Sequence, residues 1–193
     1  MNHAMLWLST RFGARGDVTQ MRAEPLTPYP PEAEDVLAQP GDLHDLIDVR
    51  VNGADWANTR PVRGFDARRV EFWRCRLTGA QLGEARLTDV VFEECHLDLV
   101  NFRFARLERV VFRDCRMNEC DLYEASFKDV LFERCQLREA TFSSATINRV
   151  EIRGCELLGL RGIESLRGAR MPWNDVLENA PLFAAALGIE AID

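Results

Sequence analysis

The sequence predicts an all-β solenoid, a square coil in which the chain turns once every five residues. Three observations predict it. An apolar residue returns at every fifth position eighteen times without a slip, from Phe72, Leu77, Leu82 and Leu87 to Phe142, Ile147, Ile152 and Leu157. A small or β-branched residue stands two positions before each of these centres, as Val70, Cys75, Ala80 and Ala85 do for the first four. A period of five fits neither a helix, which repeats every 3.6 residues, nor a strand, which alternates every two. The third observation is a hidden period of twenty. If four five-residue sides close one coil, residue i lies over residue i+20, and like residues should stack on like. One face then reads Phe72, Phe92, Phe112, Phe132, Ile152, and the next reads Cys75, Cys95, Cys115, Cys135, Cys155.

The chain divides into four parts on this reading. Residues 1–41 form a disordered or extended leader, rich in proline and acid around PLTPYPPEAED, with at most a helical turn or two over Glu32–Ala38. Met21 is a candidate alternative start. Residues 42–69 form an imperfect first coil, where Val49, Val51, Ala54 and Trp56 repeat the apolar spacing one residue out of phase. The extra residue must be absorbed between Thr59 and Phe65, and Trp56 is placed to cover the open end of the stack. Residues 70–157 are the array. Residues 158–193 hold a looser last coil, with Leu160, Ile163, Leu166 and Ala169, and then two short helices introduced by Pro172 and Pro181.

Eighteen units in one register, with a small residue two before each apolar centre, resemble the pentapeptide-repeat family. The resemblance implies a right-handed quadrilateral β-helix. The position after the small residue departs from the family's usual Asp or Asn, being Arg86, His96, Arg106 or Arg116 as often as Asn101 or Asp121. The run SLRGARM followed by APLFAAALGI is similar to the C-terminal module of the mycobacterial-type fluoroquinolone-resistance members, which dimerise through it. That subgroup protects DNA gyrase and topoisomerase IV by imitating a DNA duplex. The resemblance therefore implies a protein partner of this kind and a homodimer.

Composition narrows the function classes. The net charge of −7 argues against direct nucleic-acid binding, which needs clustered Lys and Arg. Between Val70 and Leu157 there are sixteen acidic and thirteen basic residues, and the acid excess is concentrated from Glu24 to Asp48, which holds seven acids and no Lys or Arg. No apolar run has the length of a membrane helix, and the N-terminus has too short an apolar stretch for a secretory signal. A cytoplasmic location is expected. Five of the six cysteines fall in one inward column as small buried hydrophobes, with no C-x-x-C pair and no Cys/His cluster, so neither a disulfide framework nor a metal is expected. His3, His44 and His96 lie far apart, and no phosphate loop or nucleophile motif is present. The expectation is a protein that is not an enzyme and needs no cofactor.

Surface positions remain as candidates. Trp73, Glu93, Arg113, Glu133 and Arg153 form an outward column of alternating sign, expected to satisfy itself. The neighbouring column is apolar in its middle, Val91, Val111, Leu131, where water should be. Such a stripe needs either the leader over it or a partner. Leu99, Phe104 and Tyr123 are further outward apolar residues. Leu182, Phe183, Ala186, Leu187 and Ile189 make the last helix too apolar to leave one side wet, and they are the candidate dimer interface. Two functions stay open: a gyrase-binding DNA mimic giving fluoroquinolone resistance, and a general protein-interaction scaffold unrelated to gyrase.

Overall fold

The computed structural model describes residues 27–29, 35–36, 45–61, 64–190 and 192. Seven parallel strands stack in sequence order: β1 Asp35–Val36, β2 Leu46–Asn52, β3 Asp66–Trp73, β4 Arg86–Glu93, β5 Arg106–Arg113, β6 Ser126–Glu133 and β7 Thr146–Arg153. From β3 onward each strand pairs with the next at an offset of twenty residues, so Val70, Val90, Val110, Val130 and Val150 stand over one another. Each of the strands β3 to β7 is bent and covers two walls of the coil. The other two walls are held by single bridges, Arg76–His96–Arg116–Gln136–Glu156 on one and Gln81–Asn101–Asp121–Thr141–Arg161 on the other. The four walls of one coil are thus residues 85–88, 90–93, 95–98 and 100–103. The chain is a quadrilateral β-solenoid.

The corners explain the period. The residue two past each apolar centre takes a left-handed conformation, as in Arg74 (φ 52°), Gly79 (φ 72°), Glu84 (φ 62°) and Asp89 (φ 57°). One such residue per unit swings the chain onto the next wall. A side chain other than glycine at φ > 0 costs about 1 kcal/mol, so the corners persist because the coils above and below hold them. The N–H of Leu77 reaches the carbonyl of His96 at 2.8 Å, and the N–H of His96 reaches that of Cys75 at 2.9 Å.

Inside, the small residue and the centre of each unit fill a narrow prism. Phe72, Phe92, Phe112 and Phe132 are fully buried and stack nearly coplanar, with centroids 4.7, 5.0 and 5.1 Å apart. Cys75, Cys95, Cys115 and Cys135 are buried beside them, and Cys155, at the last full coil, is half-buried. The thiols are free and donate hydrogen bonds to backbone carbonyls, Cys95 to Phe72 and Cys115 to Phe92 at 3.4 Å each.

Both ends depart from the regular coil. β2 pairs with β3 at an offset of twenty-one, Val49 with Val70 and Val51 with Phe72. The N–H of Gln81 still meets Thr59 across the longer step, whereas that of Arg86 meets Phe65 across the normal one, so the extra residue is taken up between Thr59 and Phe65. Trp56 lies buried at this end, edge-on to Phe72 at 6.2 Å. Within the stretch read as an extended leader, Asp35–Val36 forms the two-residue strand β1, paired with β2, and no helical turn. An open parallel edge offers a row of unpaired backbone groups, and their capture outweighs a helix of one turn. The remainder of that stretch, Met21 and most of the leader lie outside the described residues.

At the other end Leu160 and Leu166 are buried, and a 3₁₀ turn at Ile163–Leu166 replaces one side of the last coil. Gly162, at φ 73°, introduces this turn where a Cβ would come within 2.2 Å of the backbone nitrogen of Ser143, so only glycine fits. Helices α1 (Trp173–Glu178) and α2 (Ala180–Ala186) follow, with Pro181 in the first turn of α2. Among the described residues no helix is long and apolar enough to cross a membrane.

Candidate protein-interaction surfaces

Every outward residue of the array has like-placed neighbours one coil above and below, so the chemistry of the surface is a matter of columns. The column expected to satisfy itself does so at its centre. Arg113 lies between Glu93 at 3.6 Å and Glu133 at 2.7 Å, and Arg153 pairs with Glu151. Partial desolvation of Glu133 works against its charged form, but Arg113 outweighs it and holds the carboxyl below its ordinary value.

A second charge ladder was not anticipated. At the corner between the two strand-bearing walls stand Asp48, Arg69, Asp89, Arg109, Asp129 and Arg149, all with positive φ. Arg109 grips Asp89 with two bonds, at 2.6 and 2.9 Å, and Arg149 grips Asp129 in the same way, at 2.5 and 2.6 Å. Arg69 pairs with Asp48. Asp129 is 1 % exposed and Asp89 6 %, so each bidentate pair sets a desolvated carboxylate against a partly exposed guanidinium. The Asp89 carboxylate pushes the Arg109 guanidinium above its ordinary value. The alternation of sign at twenty-residue steps is present in the sequence. Reading the corner positions as a column would have exposed it.

The apolar stripe occupies the wall next to this corner. Val91 and Leu131 are half-buried and Val111 is 7 % exposed. On the opposite side of the coil, Leu99 and Phe104 stand at successive corners in left-handed conformation and are exposed. Arg103 is laid over the ring of Tyr123 at 4.4 Å and of Phe104 at 5.6 Å, and is tied to Asp121 at 2.9 Å. The two rings meet edge to face at 5.9 Å.

The C-terminal candidates separate. Leu182 packs against the core and Phe183 is half-buried, while Ala186, Leu187 and Ile189 face solvent. Trp173, Leu177 and Leu158 are also exposed, so the terminal face carries more apolar surface than the sequence analysis singled out. A shallow cleft of about 410 Å³ lies between α2 and the last coil, bordered by Cys155, Leu157, Leu158 and Leu182.

His96 stacks between Arg76 and Arg116 in its column. Among the described residues no three His, Cys, Asp or Glu side chains are placed to hold a metal ion. His3 and His44 lie outside the described residues.

Residues 65–142 and 85–161 each match the pentapeptide repeat region, together just over half the chain. The chain belongs to the pentapeptide repeat family. The solenoid is therefore the right-handed quadrilateral β-helix of that family. Among solved structures it is similar to trypsin-treated QnrB1, a plasmid-mediated fluoroquinolone resistance protein, at 18 % identity, covering 82 % of this chain and 96 % of that one, with a TM-score of 0.33. It is also similar to HetL, a pentapeptide repeat protein involved in heterocyst differentiation regulation from the cyanobacterium Nostoc, at 17 % identity, covering 67 % and 81 %, with a TM-score of 0.28. A pentapeptide repeat protein of the Arabidopsis thaliana thylakoid lumen matches at 14 % identity, covering 67 % and 73 %, with a TM-score of 0.32. No curated protein sequence matches the chain.

Proposed function

We propose that the protein is a non-enzymatic module that works by binding another protein. The observation that carries this reading is the division of the surface. Charges on the strand-bearing walls are matched along their columns, Glu93–Arg113–Glu133, Asp89–Arg109 and Asp129–Arg149, while exposed apolar and aromatic side chains collect at Leu99 and Phe104 and at the C-terminal helices. Solvated, self-paired walls give a partner little to hold, and exposed aromatics beside an ordered arginine are what anchor interfaces. Proximity labelling in the native host tests this. Proteins marked by the wild type and lost from both Phe104→Glu and Leu187→Glu backgrounds are the expected result, and an unchanged set refutes it.

The finer reading is that the partner is DNA gyrase or topoisomerase IV, bound by imitation of a duplex, with fluoroquinolone resistance as the outcome. It is supported by the net charge of −7, the unbroken stack and the apolar C-terminal face. The six strands β2–β7 span about 24 Å at ~4.8 Å per step, against about 34 Å for one duplex turn. A homodimer joined through Ala186, Leu187 and Ile189 doubles that length. The matched charge columns favour the general scaffold over this version, since mimicry needs a continuous negative wall. A supercoiling assay with purified gyrase, with and without ciprofloxacin, decides between them. Sedimentation velocity on Leu187→Glu decides the dimer.

A further inference from the structure

The wall that carries Val91, Val111 and Leu131 faces outward, yet Val111 and its neighbour Arg113 are only 7 % and 9 % exposed. Two described pieces of the leader are seated here. Asp35–Val36 adds a strand above β2, with Asp35 opposite Arg50. Arg50 heads the very column that runs down through Glu71, Val91, Val111 and Leu131. Further down, at the corner bordering the same wall, the backbone N–H of Tyr29 donates to Oδ1 of Asp89 at 3.1 Å. The guanidinium of Arg109, which grips that same carboxylate, lies 5.9 Å from the centre of the Tyr29 ring.

We propose that this wall is a docking surface for the chain's own leader, anchored by Tyr29, and that its apolar stripe is occupied in cis instead of being offered to a foreign partner. The chemistry of the corner fits an extended aromatic segment. Asp89 takes a backbone N–H while Arg109 neutralises its charge, and the same arginine offers a cation to the ring. In sequence Tyr29 lies between Pro28 and Pro30, so the segment has few conformations to lose on docking. The Tyr29 ring is itself 66 % exposed, which makes it removable without disturbing the core. This inference goes beyond the partner-binding reading and does not depend on which protein is bound.

The test uses the full chain with a reporter thiol on the stripe. Val111→Cys is combined with Cys155→Ala, because the other five native thiols are buried, and its rate of maleimide labelling is followed. Tyr29→Ala removes the ring and keeps the N–H donor, whereas Tyr29→Pro removes both. Tyr29→Ala is expected to speed labelling by about threefold, from loss of the cation–ring contact, and Tyr29→Pro by about tenfold or more, from loss also of the charge-assisted bond that limits local opening. Glu119→Cys, on an exposed corner away from this wall, serves as a control whose rate stays the same, and circular dichroism verifies the coil. Equal rates with and without Tyr29 overturn the proposal. A parent rate that rises on dilution also overturns it, by assigning the occupant to the leader of a second copy.

Discussion

Phe112→Ala is the sharpest test of the stacked prism. Phe112 is fully buried, lies face to face with Phe92 at 5.0 Å and Phe132 at 5.1 Å, and meets Phe102 edge-on at 6.4 Å. Truncating a buried phenylalanine costs about 3–5 kcal/mol through lost transfer energy and the cavity left behind. The upper end is expected here, because two stacked pairs go with it, each worth about 0.5–1.5 kcal/mol beyond area. The coils above and below are fixed by backbone ladders and have little freedom to collapse into the space. Phe112→Leu keeps most of the volume and should cost about 1–2 kcal/mol. Position matters as much as size. In a one-dimensional stack the central interface joins two halves, so its loss should broaden guanidinium unfolding and lower the apparent m-value as well as the midpoint. The exposed Phe104→Ala is the reference and should cost less than about 1 kcal/mol. If Phe112→Ala cost no more than Phe104→Ala, or left the m-value unchanged with a loss of about 1 kcal/mol or less, the nearest-neighbour reasoning would be refuted.

Three further outcomes follow from the columns. Arg149→Ala leaves the carboxylate of Asp129, 1 % exposed, without its bidentate partner and should lower the denaturant midpoint, whereas the double variant Asp129→Ala/Arg149→Ala should recover more than half of that loss. Glu108, drawn down by Lys128 and then Arg109, and Glu133, held low by Arg113 against its desolvation, both titrate below their unfolded values. A depressed carboxyl contributes stability above the unfolded value of about 4.3 and loses it as pH falls through the folded one, so the melting temperature should be flat near neutrality and drop below about pH 4.5. The thiol column should be inert in the native protein. A hydrogen bond with Cys115 comes first in pushing Cys135 up to about 12, burial raises Cys95 and Cys115, and a hydrogen bond with Cys135 raises Cys155, while Cys75, which the neighbouring Cys95 thiol lowers, is buried. Ellman titration at pH 8 should therefore report slow reaction in the native state and all six thiols in denaturant.

What could be read from the sequence was whatever repeats in a single column. Phe92, Phe112 and Phe132 announce the prism because inward slots tolerate only apolar groups, so the period survives every other pressure on the chain. The single-residue slip before Phe65 was also legible, since it displaces Val49 and Val51 from that period. The Asp89–Arg109 and Asp129–Arg149 grips were not found. Their partners are twenty residues apart at corner positions, which were not read as a column although their sign alternates in one, and the left-handed backbone that brings them together is not visible in sequence. The strand at Asp35–Val36 was not singled out, for a related reason. Two residues carry no periodicity, and their structure comes from the free edge of β2, a feature that exists only after the coil has formed.

The twenty-residue register also sets the terms on which such a chain can change length. Inserting one residue between Phe65 and Leu157 would turn every inward side chain after it toward solvent, whereas inserting a whole coil returns each wall to phase and presents both neighbours with familiar surfaces. The odd step between Thr59 and Phe65 is tolerated because only the first coil lies beyond it. Duplication of complete turns is thus the route by which this rod lengthens, and its caps, with Trp56 at one end and Gly162 at the other, travel unchanged as it does so.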